Sequence, residues 1–358
     1  MTADWRFVDT PELLSALIAG IGAAPWVVLD TEFVRERTYF AQLCLVQLAT
    51  PDQVAIVDAC ALDVRPLLAA VEALPVDRVF HAAGQDLELW VQLHDTISPP
   101  LFDTQIAAAL LGYGDQLSYA ALVERLLGIR LDKSLTRTDW SVRPLSAAAL
   151  DYAADDVRYL ARIYPQLLDL LAQRGRLDWL REECSRLADP TAYRPVAELA
   201  WQRLRGFGRL RPDAARAACA LAAWRERTAV NRNRPRRWIL DDPALLTLAE
   251  RRPEEMAQLQ GLLPPATAQR HGAALLAVLR ESRQWTPPAS SAPLDEQQKQ
   301  RFEQLRLACR HLAERLELPP SLLATRSELE ALARDAAAPV RLRKGWRAQF
   351  AAELGVSA

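Results

Sequence analysis

The sequence predicts an α/β domain built on a mixed sheet, followed by all-α helical units, and three observations carry that prediction. Three short apolar runs, at residues 26–29, 41–49 and 53–57, are joined by tight connections such as Thr50-Pro51-Asp52, the spacing of an antiparallel meander. Beyond them, strand-like and helix-like stretches alternate, as in a sheet flanked by helices. From about Cys184 the chain becomes helical and rich in arginine. With 358 residues, half of them hydrophobic, it is long enough to bury a large core and to divide into two or three domains.

Each element has its own signal. Trp26-Val27-Val28-Leu29, entered from Pro25, reads as a buried strand that runs on through Asp30-Thr31-Glu32-Phe33. Residues 64–74 have helical periodicity, residues 78–81 form a short strand, and residues 86–93 are helical again. Leu101-Phe102 leads through Asp103, a natural N-cap, into an alanine-rich helix stopped near Gly112. Ser146 caps a long helix that passes Tyr152 and Asp156 towards Gly175, with a bend expected at Pro165. On that helix Leu150, Ala153, Ala154, Val157, Leu160 and Ala161 share the buried face, while Asp151, Asp155, Arg158 and Arg162 form a solvated stripe of ion pairs. Between Trp201 and Leu240 eleven arginines face only Asp213 and Glu226. The stretch Thr286-Pro287-Pro288-Ala289-Ser290-Ser291-Ala292-Pro293 reads as a linker. The expected domains are therefore 1–185, 201–285 and 294–358.

Global composition sets limits. A net charge of −1 names no partner. The five cysteines are widely spaced, odd in number and without a Cys-x-x-Cys pair, which argues against a disulfide framework or a zinc site and for a reducing cytoplasm. The opening Met1-Thr2-Ala3-Asp4-Trp5-Arg6 is no secretion signal, and no run approaches the roughly 18 apolar residues of a membrane helix, so a soluble cytoplasmic protein without a membrane partner is expected.

The chemistry lies in the acids. Side chains alternate along a strand, so Asp30 and Glu32 project from one face, and two carboxylates together at a strand end call for a cation. Asp86, where the strand 78–81 hands over to a helix, is a third candidate; Asp103 competes with it but is explained as a cap. Asp156 is a fourth, with Tyr152 one helical turn before it, so that the hydroxyl and the carboxylate point at the same place. Several carboxylates around open coordination positions suit hydrolysis of a phosphodiester between two metal ions.

Asp30-x-Glu32, Asp86 and Tyr152-x-x-x-Asp156 resemble the three exonuclease motifs of the DEDD superfamily, in the subgroup with a tyrosine in the third motif. Residues 29–33 with 38–45, Phe102-Asp103-Thr104-Gln105, and Lys133-Ser134 through Asp139-Trp140 to Ser146 look like the bacterial ribonuclease D family. Leu221-Ala222-Ala223-Trp224-Arg225 and Asn233-Arg234-Pro235-Arg236 are similar to the HRDC domain shared by that family and certain helicases. Departures are small: Ala41 stands where proline is expected, and the last unit has few diagnostic residues.

The resemblance implies a ribonuclease-H-like fold followed by two all-α HRDC-like domains, and two Mg²⁺ or Mn²⁺ ions. It also implies 3′ to 5′ removal of nucleotides as 5′-monophosphates, typically in tRNA 3′-end maturation. By the same resemblance Asp30, Glu32, Asp86 and Asp156 hold the metals, and Tyr152 orients the attacking water. Phe33, Tyr39, Gln42 and His81 are candidate substrate contacts. The implied partners are tRNA precursors and other structured RNAs with single-stranded 3′ ends, acted on by a monomer. The competing readings are a DNA 3′–5′ exonuclease and an inactive nuclease serving as an RNA-binding module; all four acids and the tyrosine are present, which favours an active enzyme.

Overall fold

A computed structural model of the chain describes residues 4–132, 138–284 and 294–356. Lys133 and Ser134, Trp285 and the linker expected at 286–293 lie outside the described residues. The chain forms two compact units, one of Met1–Val34, Leu43–Tyr193 and Pro293–Ala358, the other of Arg35–Gln42 and Arg194–Ala292.

The first unit holds, in chain order, β1 (Arg6–Val8), α1 (Pro11–Ile21), β2 (Trp26–Val34), β3 (Gln42–Ala49), β4 (Val54–Asp58), α2 (Arg65–Glu72) and β5 (Asp77–Phe80). There follow α3 (Gly84–His94), β6 (Leu101–Asp103), α4 (Thr104–Leu110), α5 (Tyr119–Leu127), α6 (Ala147–Gln173) and α7 (Leu177–Ser185). The six strands lie in the order β1-β4-β3-β2-β5-β6. β3 and β4 are antiparallel, with Val46 opposite Val57, whereas β1–β4, β2–β5 and β5–β6 are parallel. The sheet is thus mixed, as expected, and the antiparallel part is the meander that the turn at Thr50-Pro51-Asp52 signals.

Burial explains which runs became strands. Val27, Val28 and Leu29 of β2 are sealed in the core, as are Ile56 and Val57 of β4. β1, α1 and α5 had no counterpart in the sequence reading. β1 is only three residues long and buries only Val8, so it has no apolar run to reveal it. α6 starts at the expected cap, where the Ser146 side chain accepts from the Ala149 N–H at 3.1 Å, and it runs on past Pro165 to Gln173. Its buried face contains Ala153, Ala154, Val157 and Leu160, as the periodicity predicts. Arg158 pairs with Asp155 and with Asp4 on the opposite stripe.

In the second unit α8 (Pro212–Arg232), α9 (Arg236–Ile239), α10 (Asp242–Arg251), α11 (Met256–Gln260) and α12 (Pro265–Glu281) enclose a core that includes Leu221, Leu245, Leu248, Leu259 and Leu275. Residues 35–42 pack here. The Asn233 side-chain oxygen accepts from the Tyr39 and Phe40 N–H groups, and the Tyr39 hydroxyl donates to the buried Glu226, which also pairs with Arg236.

After the second unit the chain continues in α13 (Glu296–Leu316), α14 (Pro320–Leu323) and α15 (Arg326–Arg334), and these belong to the first unit. Leu305, Leu312, Leu332 and Trp346 join the same apolar core as Val79, Phe102 and Leu160. The Trp346 ring stacks on Trp179 at 4.4 Å between centroids, and its indole N–H donates to Glu183 at 2.8 Å. Gly345, at φ +56°, makes the close turn possible, because a Cβ there would strike the Glu182 carboxylate. No helix among the described residues is long and apolar enough to cross a membrane.

Candidate active site

β2 and α6 build the centre of the site. The alternation of β2 places Asp30 and Glu32 on one face, and α6 brings Asp156 against them, so that each carboxyl offers an oxygen within 4.8 Å of the other two. Asp86, in the first turn of α3, is almost fully buried, and its carboxyl accepts from the Thr31 hydroxyl at 2.5 Å. It stands outside the group of three yet close enough to act on it, since its charge contributes to the raised pKa of Asp30, Glu32 and Asp156. Asp103 does what its position foretold, accepting from the Gln105 and Ile106 N–H groups as a cap and from Ala82 and Ala83 besides.

These acids open into a cleft of about 350 Å³ that Phe33, His81, Gln85, Tyr119, Thr138 and Trp140 also line. No lysine or arginine among the described residues lines it. The electrostatic result is a set of carboxyls that resist ionising. Burial, then the neighbouring carboxylates, lifts Glu32 to about 8 and Asp156 to about 7; burial also lifts Asp86 to about 7, and Asp30 is raised well above its ordinary value. A divalent cation removes the strain. An all-oxygen carboxylate set suits hard cations of the magnesium and manganese kind, and the residues present fit such a group.

Tyr152 sits half-buried beside the acids, its ring 6.2 Å from that of Trp140. Burial and then the charges of Asp156, Glu32 and Asp30 push its hydroxyl up to about 12. Trp140 is held by a short chain of contacts: the Arg143 guanidinium donates to the Trp140 carbonyl and pairs with Asp58 at 2.6 Å. His81 lines the cleft and has a partner at each ring nitrogen, the Thr104 hydroxyl at 2.9 Å and the Leu117 carbonyl at 3.1 Å, and burial lowers its pKa. Phe33 lines the cleft too. Tyr39 and Gln42 lie in the segment that packs with the second unit, and Tyr39 spends its hydroxyl on Glu226.

Sequence reasoning passed over Gln85, Tyr119 and Thr31. Tyr119 donates to the Asp155 carbonyl at 2.6 Å, and burial with the charges of Asp156 and Asp30 holds its own pKa well above normal. The amphipathic pattern of α5, with Leu122 and Val123 buried, marks a helix but not which site its first residue reaches. Trp140 was part of a quoted family stretch but had been given no role.

The sequence profile of a 3′–5′ exonuclease family matches residues 5–172, and that of the HRDC domain matches residues 215–279. A ribonuclease D from Acidiphilium cryptum is 39% identical over 359 residues, covering 96% of this chain and 90% of its own length. A ribonuclease D from Nitrobacter hamburgensis is 37% identical and covers 98% of this chain and 94% of its own. Among solved structures, Escherichia coli RNase D, described as an exoribonuclease involved in structured RNA processing, superposes with a TM-score of 0.86 at 29% identity, covering 99% of this chain and 98% of that one. The catalytic core of RRP6 from Trypanosoma brucei gives 0.61 at 25% identity, covering 79% of this chain and 80% of that one.

Proposed function

Because the chain belongs to the ribonuclease D family of 3′–5′ exoribonucleases, we propose that it shortens RNA from the 3′ end at the Asp30/Glu32/Asp156 cleft and releases 5′-mononucleotides. The family depends on divalent metal. Two ions, Mg²⁺ or Mn²⁺, are the proposed number and kind, and Asp30, Glu32, Asp86 and Asp156 would hold them. When bound, such ions neutralise phosphate charge and acidify a water.

This chain's own residues perform the rest. Water attacks the phosphorus of the last phosphodiester and gives up a proton to solvent, a P–O bond forms to it, the P–O3′ bond breaks, and the departing 3′ oxygen takes a proton from solvent, leaving a 5′-monophosphate and a new 3′-hydroxyl end. Tyr152 orients the attacking water. In the metal-free chain burial and the neighbouring carboxylates hold this phenol at about 12, protonated at neutral pH, which favours a hydrogen bond to the water over the role of base. The packed Trp140 and Phe33 narrow the cleft and limit water. tRNA precursors and other structured RNAs with single-stranded 3′ ends are the proposed substrates, a monomer the proposed form and the cytoplasm the proposed place.

The observation that carries this reading is the group of three carboxylates within 4.8 Å, all raised by burial and by one another's charge, with no lysine or arginine in the described lining of the cleft. Matched single-stranded RNA and DNA oligonucleotides, digested with Mg²⁺ or Mn²⁺, test it. Stepwise loss of 5′-monophosphates from the RNA 3′ end, abolished by chelation, is expected. Endonucleolytic fragments, or turnover that persists in chelator, would refute it, and a faster rate on the DNA strand would move the assignment to a DNA exonuclease.

A further inference from the structure

Of the nine tryptophans among the described residues, Trp238 alone is exposed, with 48% of its surface open to solvent. Its setting is built, not loose. Pro235 opens the single turn of α9 and accepts from the Trp238 N–H at 2.8 Å; Ile239 and Leu240 follow directly and are buried. The Leu240 carbonyl accepts from the buried Arg225 at 2.9 Å, and Asn233 upstream, in left-handed conformation, binds the 35–42 segment. The backbone is therefore held on both sides of Trp238, and the residue is about half open to solvent.

Its neighbours are cationic. The Arg234 guanidinium lies 5.9 Å from the ring centre while donating to the Arg37 carbonyl at 3.4 Å, and Arg237 beside it is exposed. Arg236 alone turns inward, committed to Glu226 and Tyr39. A rigid aromatic face flanked by guanidinium groups is the chemistry that binds single-stranded nucleic acid: an unpaired base stacks on the ring while its phosphates meet the cations. A docking protein would be expected to favour a broader apolar patch, and here the surroundings of the ring are charged.

We propose that Trp238, with Arg234 and Arg237, forms a stacking site for an unpaired base of the RNA substrate on the second unit. This rests on the reading of the chain as an RNA exonuclease and adds a site that the cleft does not contain. The 35–42 segment against which the site is built continues directly, in the chain, from the strand that carries Asp30 and Glu32.

Binding of the full chain to a 12-nucleotide oligoadenylate, followed by fluorescence anisotropy in chelator over a range of salt, tests the proposal. Trp238→Ala is expected to raise Kd about 5- to 150-fold with the slope of log K against log salt unchanged, because stacking releases no counterions. Trp238→Phe should recover most of the loss. Arg234→Ala with Arg237→Ala should instead flatten the slope by about 1.4. A Trp238→Ala Kd within twofold of wild type overturns the proposal, and so does a loss that comes with the flattened slope of the arginine pair. A change of oligomeric state in sedimentation with RNA affinity intact assigns the ring to a second copy and overturns it as well. Wild-type protein that neither binds nor degrades RNA would fail the parent reading; wild type that does both while Trp238→Ala matches it fails only the stacking site.

Discussion

Two of the places where the first unit buries carboxylates treat them in opposite ways. Glu183 on α7 is 8% exposed and fully answered: the Arg347 guanidinium, 0% exposed, pairs with it, the Trp346 indole donates to it, and Arg186 adds a second cation. Burial alone would raise its pKa, but Arg347 outweighs burial and holds it below the usual carboxylate value. In the cleft, Asp30, Glu32, Asp86 and Asp156 are raised together, each by burial first, with no lysine or arginine among the described lining residues to answer them. A charge that serves the fold carries its partner with it. A charge that serves chemistry waits for one to arrive.

The sharpest way to break this contrast is at Asp156. Asp156→Asn keeps the shape and removes one metal-binding charge, so turnover should fall by a factor on the order of 10³ or more, while the metal-free protein melts no lower than wild type because a like charge has gone. Single-turnover assays beside thermal melts read both halves; turnover above a tenth of wild type removes Asp156 from the site. Glu183→Ala should do the reverse. It strands the Arg347 guanidinium in the core, and denaturant titration should show a loss of about 3–5 kcal/mol. A loss below about 1 kcal/mol would mean that the pair is dispensable.

Tyr152→Phe comes next. Loss of one orienting hydroxyl should lower turnover by about 10² to 10³ with little change in RNA affinity. Weaker binding at an unchanged single-turnover rate would make it a packing residue instead. The smallest effect is the pH dependence of the metal-free protein. Glu32 at about 8 and Asp156 at about 7 bind protons in the folded state that the unfolded chain releases near pH 4, so their contribution is fully present at low pH and lost as pH rises through 7 to 8. Melts between pH 5 and 8 should therefore show stability falling steadily, with saturating Mg²⁺ removing the trend. Glu183, lowered, runs the other way and matters only as pH drops below about 4. A metal-free melting temperature that rises across the same window would contradict the cleft half of the comparison.

What was legible in the sequence was what local rules govern. The Asp30/Glu32 alternation, the Ser146 cap, the Asp103 cap and the Tyr152–Asp156 helical turn each depend on residues a few positions apart. Long-range pairing was not legible. The eleven arginines between Trp201 and Leu240 looked almost unopposed, yet Arg225 pairs with Asp242 and Arg227 with Glu198, acids outside the counted window, while Arg203 and Arg236 share Glu226. Tyr119 reaches the site from a helix whose caps and apolar pattern are local, whereas its approach to Asp155 and Asp156 is not. Residues 296–334 show the same helical character as the second unit, and periodicity cannot tell which core an apolar face will join.

That shared core has a consequence for the order in which the protein is made. The stretch 194–292 has a core of its own and is complete once it has left the ribosome, apart from residues 35–42, which are already there. The catalytic unit is not complete at that stage: Leu305, Leu312, Leu332 and Trp346, which seal it, are translated only after the second unit. At about 5–20 residues per second, the acids of the cleft are synthesised many seconds before the helices that close their core, so the nuclease sheet spends that interval with apolar surface open. Nascent chains of this protein are therefore expected to gain nuclease activity only once residues 305–346 have emerged, and to lean on chaperones until then.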